Sequence, residues 1–193
     1  VWVLPIFGAQ VANFENDENV KSNQVLSRYK NNSVVFLKND SFFIAELDSR
    51  GKIVNAAYTT DFDRIQPEGQ FAYSEKSGEL YYVNGGKLFK AKQRKSGKWV
   101  NSAYIEVKGS EVKRDKYPGS VLAYANWRYL PKDSIVIVNP TINSQGDVLY
   151  FSSNMNNAKS RDIWEMSKGQ DGEWGNPVRL DASVNTVDAD EDF

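Results

Sequence analysis

The feature that most constrains this chain is a spacing that occurs three times. The turn glycines Gly51 in SRGKIV, Gly97 in KSGKWV and Gly172 in QDGEWG each stand nine residues after an apolar residue that opens a short alternating run. Those residues are Phe42 in FFIAEL, Leu88 in LFKAK and Ile163 in IWEMS. Further upstream lie VVFLK from Val34, LYYVN from Leu80 and LYFSS from Leu149, at 17, 17 and 23 residues before the respective glycines. Only the third unit is longer, by six residues within NMNNAKSR. Nine residues earlier again, Val25, Phe71 and Pro140 open another short segment, closed by the polar turns KNN, KSGE and SQGD.

Each unit therefore reads as four short strands rich in Val, Ile, Tyr and Phe, bounded by Gly, Asn, Asp and Ser turns. Four antiparallel strands in roughly 45 residues is the signature of a propeller blade. A single four-stranded sheet has two faces to cover, and radially stacked neighbours cover both. The alternation in DIWEMS puts Ile163, Glu165 and Ser167 on one face and Trp164 and Met166 on the other, which suits large side chains between sheets. The expected fold is all-β, with about three blades that form part of a larger propeller. The expected boundaries are a segment at 1–22, blades at about 23–69, 70–107 and 138–187, and an insert at 108–137. A short helical pattern is confined to SVLAYANWRYL in that insert.

Composition then narrows the chemistry. The 193 residues suffice for a real core, and 40% hydrophobic content with 13% aromatics indicates a folded domain. Twenty-four Lys and Arg against 25 Asp and Glu leave no electrostatic footprint for nucleic acid. Histidine and cysteine are both absent. That removes disulfides, Ser-His-Asp and Cys-His nucleophilic systems, and HExxH metal sites. No apolar run approaches the roughly 20 residues of a spanning helix. The opening VWVLPIFGAQ reads either as the remnant of a secretory signal peptide or as a first strand.

The third unit carries a more specific pattern. NPTINSQGDVLYFSSN, RDIWEM, DGEWGNPVRLDASVNT and DADEDF resemble the WD40-like PD40 repeat of TolB-type propellers. The likeness is to the variety found in cell-envelope proteins that carry an OmpA-like peptidoglycan-binding domain. The first two units share its spacing and strand character. The resemblance implies a propeller in the periplasm or at the outer membrane, and turn or inter-strand hydrogen-bonding roles for Asp162 and Asn185. Three blades do not close a ring of four to eight, so a partner or a further copy is expected at the open blade edge.

Asp188, Asp190, Glu191 and Asp192 lack the glycine and distal Glu of a calcium loop and read as a solvated connector. Asp171 directly precedes Gly172, unlike the Asp box of sialidases, and reads as a tight Asp-Gly turn. Lys87, Lys90, Lys92, Arg94, Lys95 and Lys98 read as a solvated sheet edge guarded by lysines. The insert holds Tyr117, Tyr124, Trp127 and Tyr129 in a segment punctuated by Pro118 and Pro131, and such aromatics are favoured anchors of binding surfaces. Loops that depart from a repeat often carry binding function. The candidate partner-binding residues are these four aromatics together with Asn154, Asn156 and Arg161 of the lengthened loop.

The function expected is a non-enzymatic scaffold of the bacterial cell envelope. It would bind another envelope protein or a peptidoglycan-linked component, without cofactor, metal, nucleic acid or membrane span. The alternatives are the propeller part of a peptidase or glycan-active enzyme, or a glycan-binding propeller. No GxSxG nucleophile elbow is present for the first of these.

Overall fold

The computed structural model describes residues 27–38, 40–108, 135–155 and 160–185. Its strands form three separate four-stranded antiparallel sheets, each a meander of consecutive strands. The first contains β1 (Ser27–Tyr29), β2 (Ser33–Lys38), β3 (Ser41–Leu47) and β4 (Ile53–Thr59). The second contains β5 (Phe71–Ser74), β6 (Glu79–Asn84), β7 (Lys87–Gln93) and β8 (Trp99–Tyr104). The third contains β9 (Ile137–Ile142), β10 (Val148–Ser153), β11 (Asp162–Ser167) and β12 (Val178–Arg179). Among the described residues there is no helix. This is a set of propeller-like blades.

The repeated glycines share one local geometry. Gly51, Gly97 and Gly172 have φ of 76°, 85° and 84°, in the left-handed region that side chains with a Cβ disfavour. The Gly51 N–H donates to the Asp48 carbonyl at 3.0 Å while the Asp48 N–H donates to Lys52 at 2.8 Å. The same pair recurs at Arg94 with Gly97 and Lys98, and at Gly169 with Gly172 and Glu173. Asp171 thus belongs to the turn, where its carboxylate accepts the Glu173 N–H at 3.0 Å.

Strand alternation sorts the side chains into seams. Val35, Leu37, Phe42 and Ile44 of the first sheet pack with Phe71, Leu80, Tyr82, Phe89, Ala91 and Trp99 of the second. Tyr29, Phe62 and Ile65 complete this seam. From the other face of the second sheet, Tyr81, Val83 and Leu88 pack with Leu149, Phe151, Trp164 and Met166 of the third. Trp164 and Met166 therefore occupy an inter-sheet seam, as their alternation predicts. Each large side chain fully buried there contributes about 1.5–3 kcal/mol. Across the sheets the first strands are neighbours, β1 beside β5 and β5 beside β9. That is the radial arrangement of blades about a centre.

Three details correct the sequence reading. β7 is an inner strand between β6 and β8, so Lys90 and Lys92 do not guard a sheet edge. They flank buried Glu79 instead, at 3.6 and 3.7 Å, with Tyr81 donating its hydroxyl to the same carboxylate at 3.0 Å. The first strand of the third sheet begins at Ile137 and not at Pro140. Pro140 is accommodated within it because β9 is an edge strand and its register against β10 shifts between Tyr150 and Ser152. SVLAYANWRYL lies outside the described residues.

A Cβ added at Gly51 would meet nothing within 4 Å. Gly51→Ala is therefore expected to destabilise by roughly 1–2 kcal/mol through the backbone alone. Urea denaturation checks this, with an unchanged slope and a lower midpoint expected.

Candidate interaction surface

In an up-and-down meander the β2–β3, β6–β7 and β10–β11 connections fall at one end of the sheets, together with the connectors that lead to the next sheet. Hydrogen bonds confirm the grouping for the second sheet. Glu68, in the connector after β4, accepts the Gly85 N–H of the β6–β7 turn at 2.8 Å. The Asn84 amide donates to the Gln66 carbonyl of the same connector at 2.9 Å.

The third sheet repeats this with more material. Asn154 opens the long β10–β11 loop, and its side-chain oxygen accepts the Val136 N–H at 2.7 Å. Val136 lies where the insert returns to the sheet. On the same side, a Cβ at Gly86 would meet the Ile135 carbonyl at 4.0 Å. The insert departs after Ile105 and Val107, both buried in the second seam. The two regions singled out from sequence, insert and lengthened loop, are thus joined at one point. Arg161 is half-buried at the far end of that loop, next to β11. Tyr117, Tyr124, Trp127, Tyr129 and Asn156 lie outside the described residues, as do Asp188, Asp190, Glu191 and Asp192.

Asp162 and Asn185 have the structural parts the repeat pattern implies. The Arg179 guanidinium donates to the Asp162 carboxylate at 2.6 Å, tying β12 to the start of β11. Asn185 accepts the Ile163 N–H at 2.7 Å and donates to the Ile163 and Leu180 carbonyls at 3.0 and 2.8 Å.

A second polar cluster was not visible in the sequence. Lys30, from the β1–β2 turn, places its ammonium 5.3, 5.5 and 5.3 Å from the ring centres of Tyr29, Tyr73 and Trp99, and donates to the Gln93 side chain. The Tyr29 hydroxyl accepts the Trp99 indole N–H at 3.0 Å. Burial pulls Lys30 below the usual lysine range, against the opposing charges of Asp61 and Glu75. The partners come from different sheets, 63 to 70 residues apart for the hydrogen bonds. No spacing within one unit records them; the only trace was the basic run ending beside Trp99.

Among the described residues no group of three or more His, Cys, Asp and Glu is arranged to hold a metal ion. No helix there is long and apolar enough to cross a membrane. No family model and no curated protein matches the chain. Among solved structures, the crystal structure of a protein from Lactobacillus plantarum is similar over 82% of this chain and 42% of that one. The identity is 10% and the TM-score 0.42, a likeness too slight to carry an argument. This chain spans less than half the length of that protein.

Two outcomes are expected. Asn154→Ala removes the acceptor for Val136, so hydrogen exchange of the Val136 amide should speed up while the β6 amides stay protected. Unchanged exchange at Val136 would show that the tie is not made. Burial, chiefly, pushes Tyr29 from 10.0 up to about 12. Between those values the folded chain holds a proton the unfolded chain has released, so its stability falls as pH rises through that window. Tyr29→Phe should flatten the fall between about pH 10 and 12 in an alkaline denaturation series, leaving the part due to Tyr81, also pushed up by burial.

Proposed function

We propose that this chain is a non-enzymatic propeller module of the WD40-like PD40 type, working in the periplasm or at the outer membrane. It presents the end of the sheets that carries the insert and the β10–β11 loop to another envelope protein or a peptidoglycan-linked component. The observation that supports this reading most is the bond from Val136 to Asn154. It joins the two departures from the repeat at one end of the third sheet, where a binding surface can be varied without disturbing the seams. The resemblance of the third unit to envelope propellers supports the location, and the absence of histidine and cysteine supports a role in binding. Aromatic residues in the insert would supply anchors that bury large area at low entropic cost.

The test pairs a chain in which Tyr117, Tyr124, Trp127 and Tyr129 are all alanine with the unaltered chain. Each is incubated with purified peptidoglycan sacculi and, separately, with cross-linked envelope extract. The unaltered chain should co-sediment or capture a discrete partner, and the quadruple variant should lose at least about tenfold in affinity, or about 1.4 kcal/mol, with little change in melting temperature. Equal capture by both chains, or by neither, would reject the proposal.

A further inference from the structure

The hairpin turn between β6 and β7 has no backbone need of the asparagine that precedes it. Gly85 and Gly86 have φ of 59° and 68° and stand between Asn84 and Lys87, which are paired. Both central positions of such a two-residue turn require positive φ, and an Asn-Gly hairpin usually uses the asparagine for the first. Here glycine fills both, and the Asn84 side chain is engaged elsewhere. Its amide donates to the Gln66 carbonyl at 2.9 Å and to the Ile65 carbonyl at 3.4 Å. Gln66 has φ of 41°, a left-handed conformation that a residue with a Cβ keeps only where its surroundings fix it. Glu68 accepts the Gly85 N–H at 2.8 Å and gives its own N–H to the Val83 carbonyl at 2.8 Å. These bonds seat the connector that carries Phe62 and Ile65 into the first seam.

Asn84 is also the one asparagine in the sequence followed directly by glycine, and that pair carries a reaction. The Gly85 nitrogen attacks the side-chain carbonyl carbon of Asn84, with no Cβ at Gly85 to crowd the approach. A C–N bond forms, the side-chain nitrogen leaves as ammonia with the proton given up by the Gly85 N–H, and a succinimide ring results. One water then opens the ring to aspartate or isoaspartate. In the folded chain both nitrogens are held apart from this path, the attacking one on Glu68 and the leaving one on Gln66. The ring closes only when the connector lifts away. The product cannot seat it again, because a carboxylate accepts and does not donate, and it stands beside the like charge of Glu68.

We propose that Asn84-Gly85 is a deamidation site gated by the connector at 65–68, with water as its co-reactant, and that loss of the amide leaves the connector open. The new charge appears on the turn whose Gly86 lies next to Ile135, where the insert returns to the third sheet.

Peptide mapping that separates asparagine, aspartate and isoaspartate at position 84 tests this in the full chain, incubated in mildly alkaline buffer. Conversion should be at least about tenfold slower in the folded chain than in urea, because the fraction of opened connector sets the rate. Glu68→Ala releases the Gly85 N–H at an exposed position and should speed conversion in the folded chain by roughly threefold or more, the share of one hydrogen bond in the opening equilibrium. Asn84→Asp reproduces one product directly. Hydrogen exchange at the Gln66 and Glu68 amides should then quicken while the β10 amides stay protected. Equal conversion in folded and unfolded chains, an unchanged rate in Glu68→Ala, or unchanged exchange at Gln66 and Glu68 in Asn84→Asp would overturn the proposal.

Discussion

Everything in this structure depends on apolar contact between neighbouring sheets. A four-stranded meander of six-residue strands cannot bury both its faces, and a lone sheet of this size is marginal in water. Here the middle strand β6 is buried in all but its last residue, because its alternate side chains pack against the first sheet on one face and the third on the other. The fourth strands lie at the rim of this stack: β4 is exposed over most of its length, and of β8 Trp99 alone is buried. Stability is concentrated where sheets meet and falls off towards the rim.

That dependence explains which parts of the fold were legible from the sequence. The strands carrying VVFLK, LYYVN and LYFSS are inner strands whose alternation a seam constrains, on both faces for LYYVN, and the glycines that follow them require a left-handed turn. Both demands leave marks on residue type at fixed spacing. Pro140 misled because proline usually marks a boundary, whereas an edge strand with a register shift can hold it. The lysines of β7 suggest an edge by their charge; the carboxylate they flank, Glu79, sits on a different strand, at no spacing within their own run.

The candidate surface was legible only in outline. A lengthened loop and an aromatic-rich insert are visible as interruptions of a period, and chain topology carries both to the same end of the third sheet. The bond between Asn154 and Val136 is not visible, since it joins residues 18 apart through a fold that must first exist. The Lys30 cluster is hidden for the same reason. Its aromatic rings belong to β1, β5 and β8, and only sheet stacking brings them around one ammonium. Polar features of this kind follow from the seams and hold them in register, as the Tyr29 and Trp99 pair does at the first seam.

Two periodic seams unite the three sheets into one radial stack. Methyl nuclear Overhauser effects in a selectively labelled chain test it most directly, observed among Val35, Ile65 and Leu80 for the first seam and among Val83, Leu88 and Leu149 for the second. Cross-sheet effects are expected in both sets, because each set shares one buried cluster. Effects confined within each sheet, with none between sheets, would contradict it.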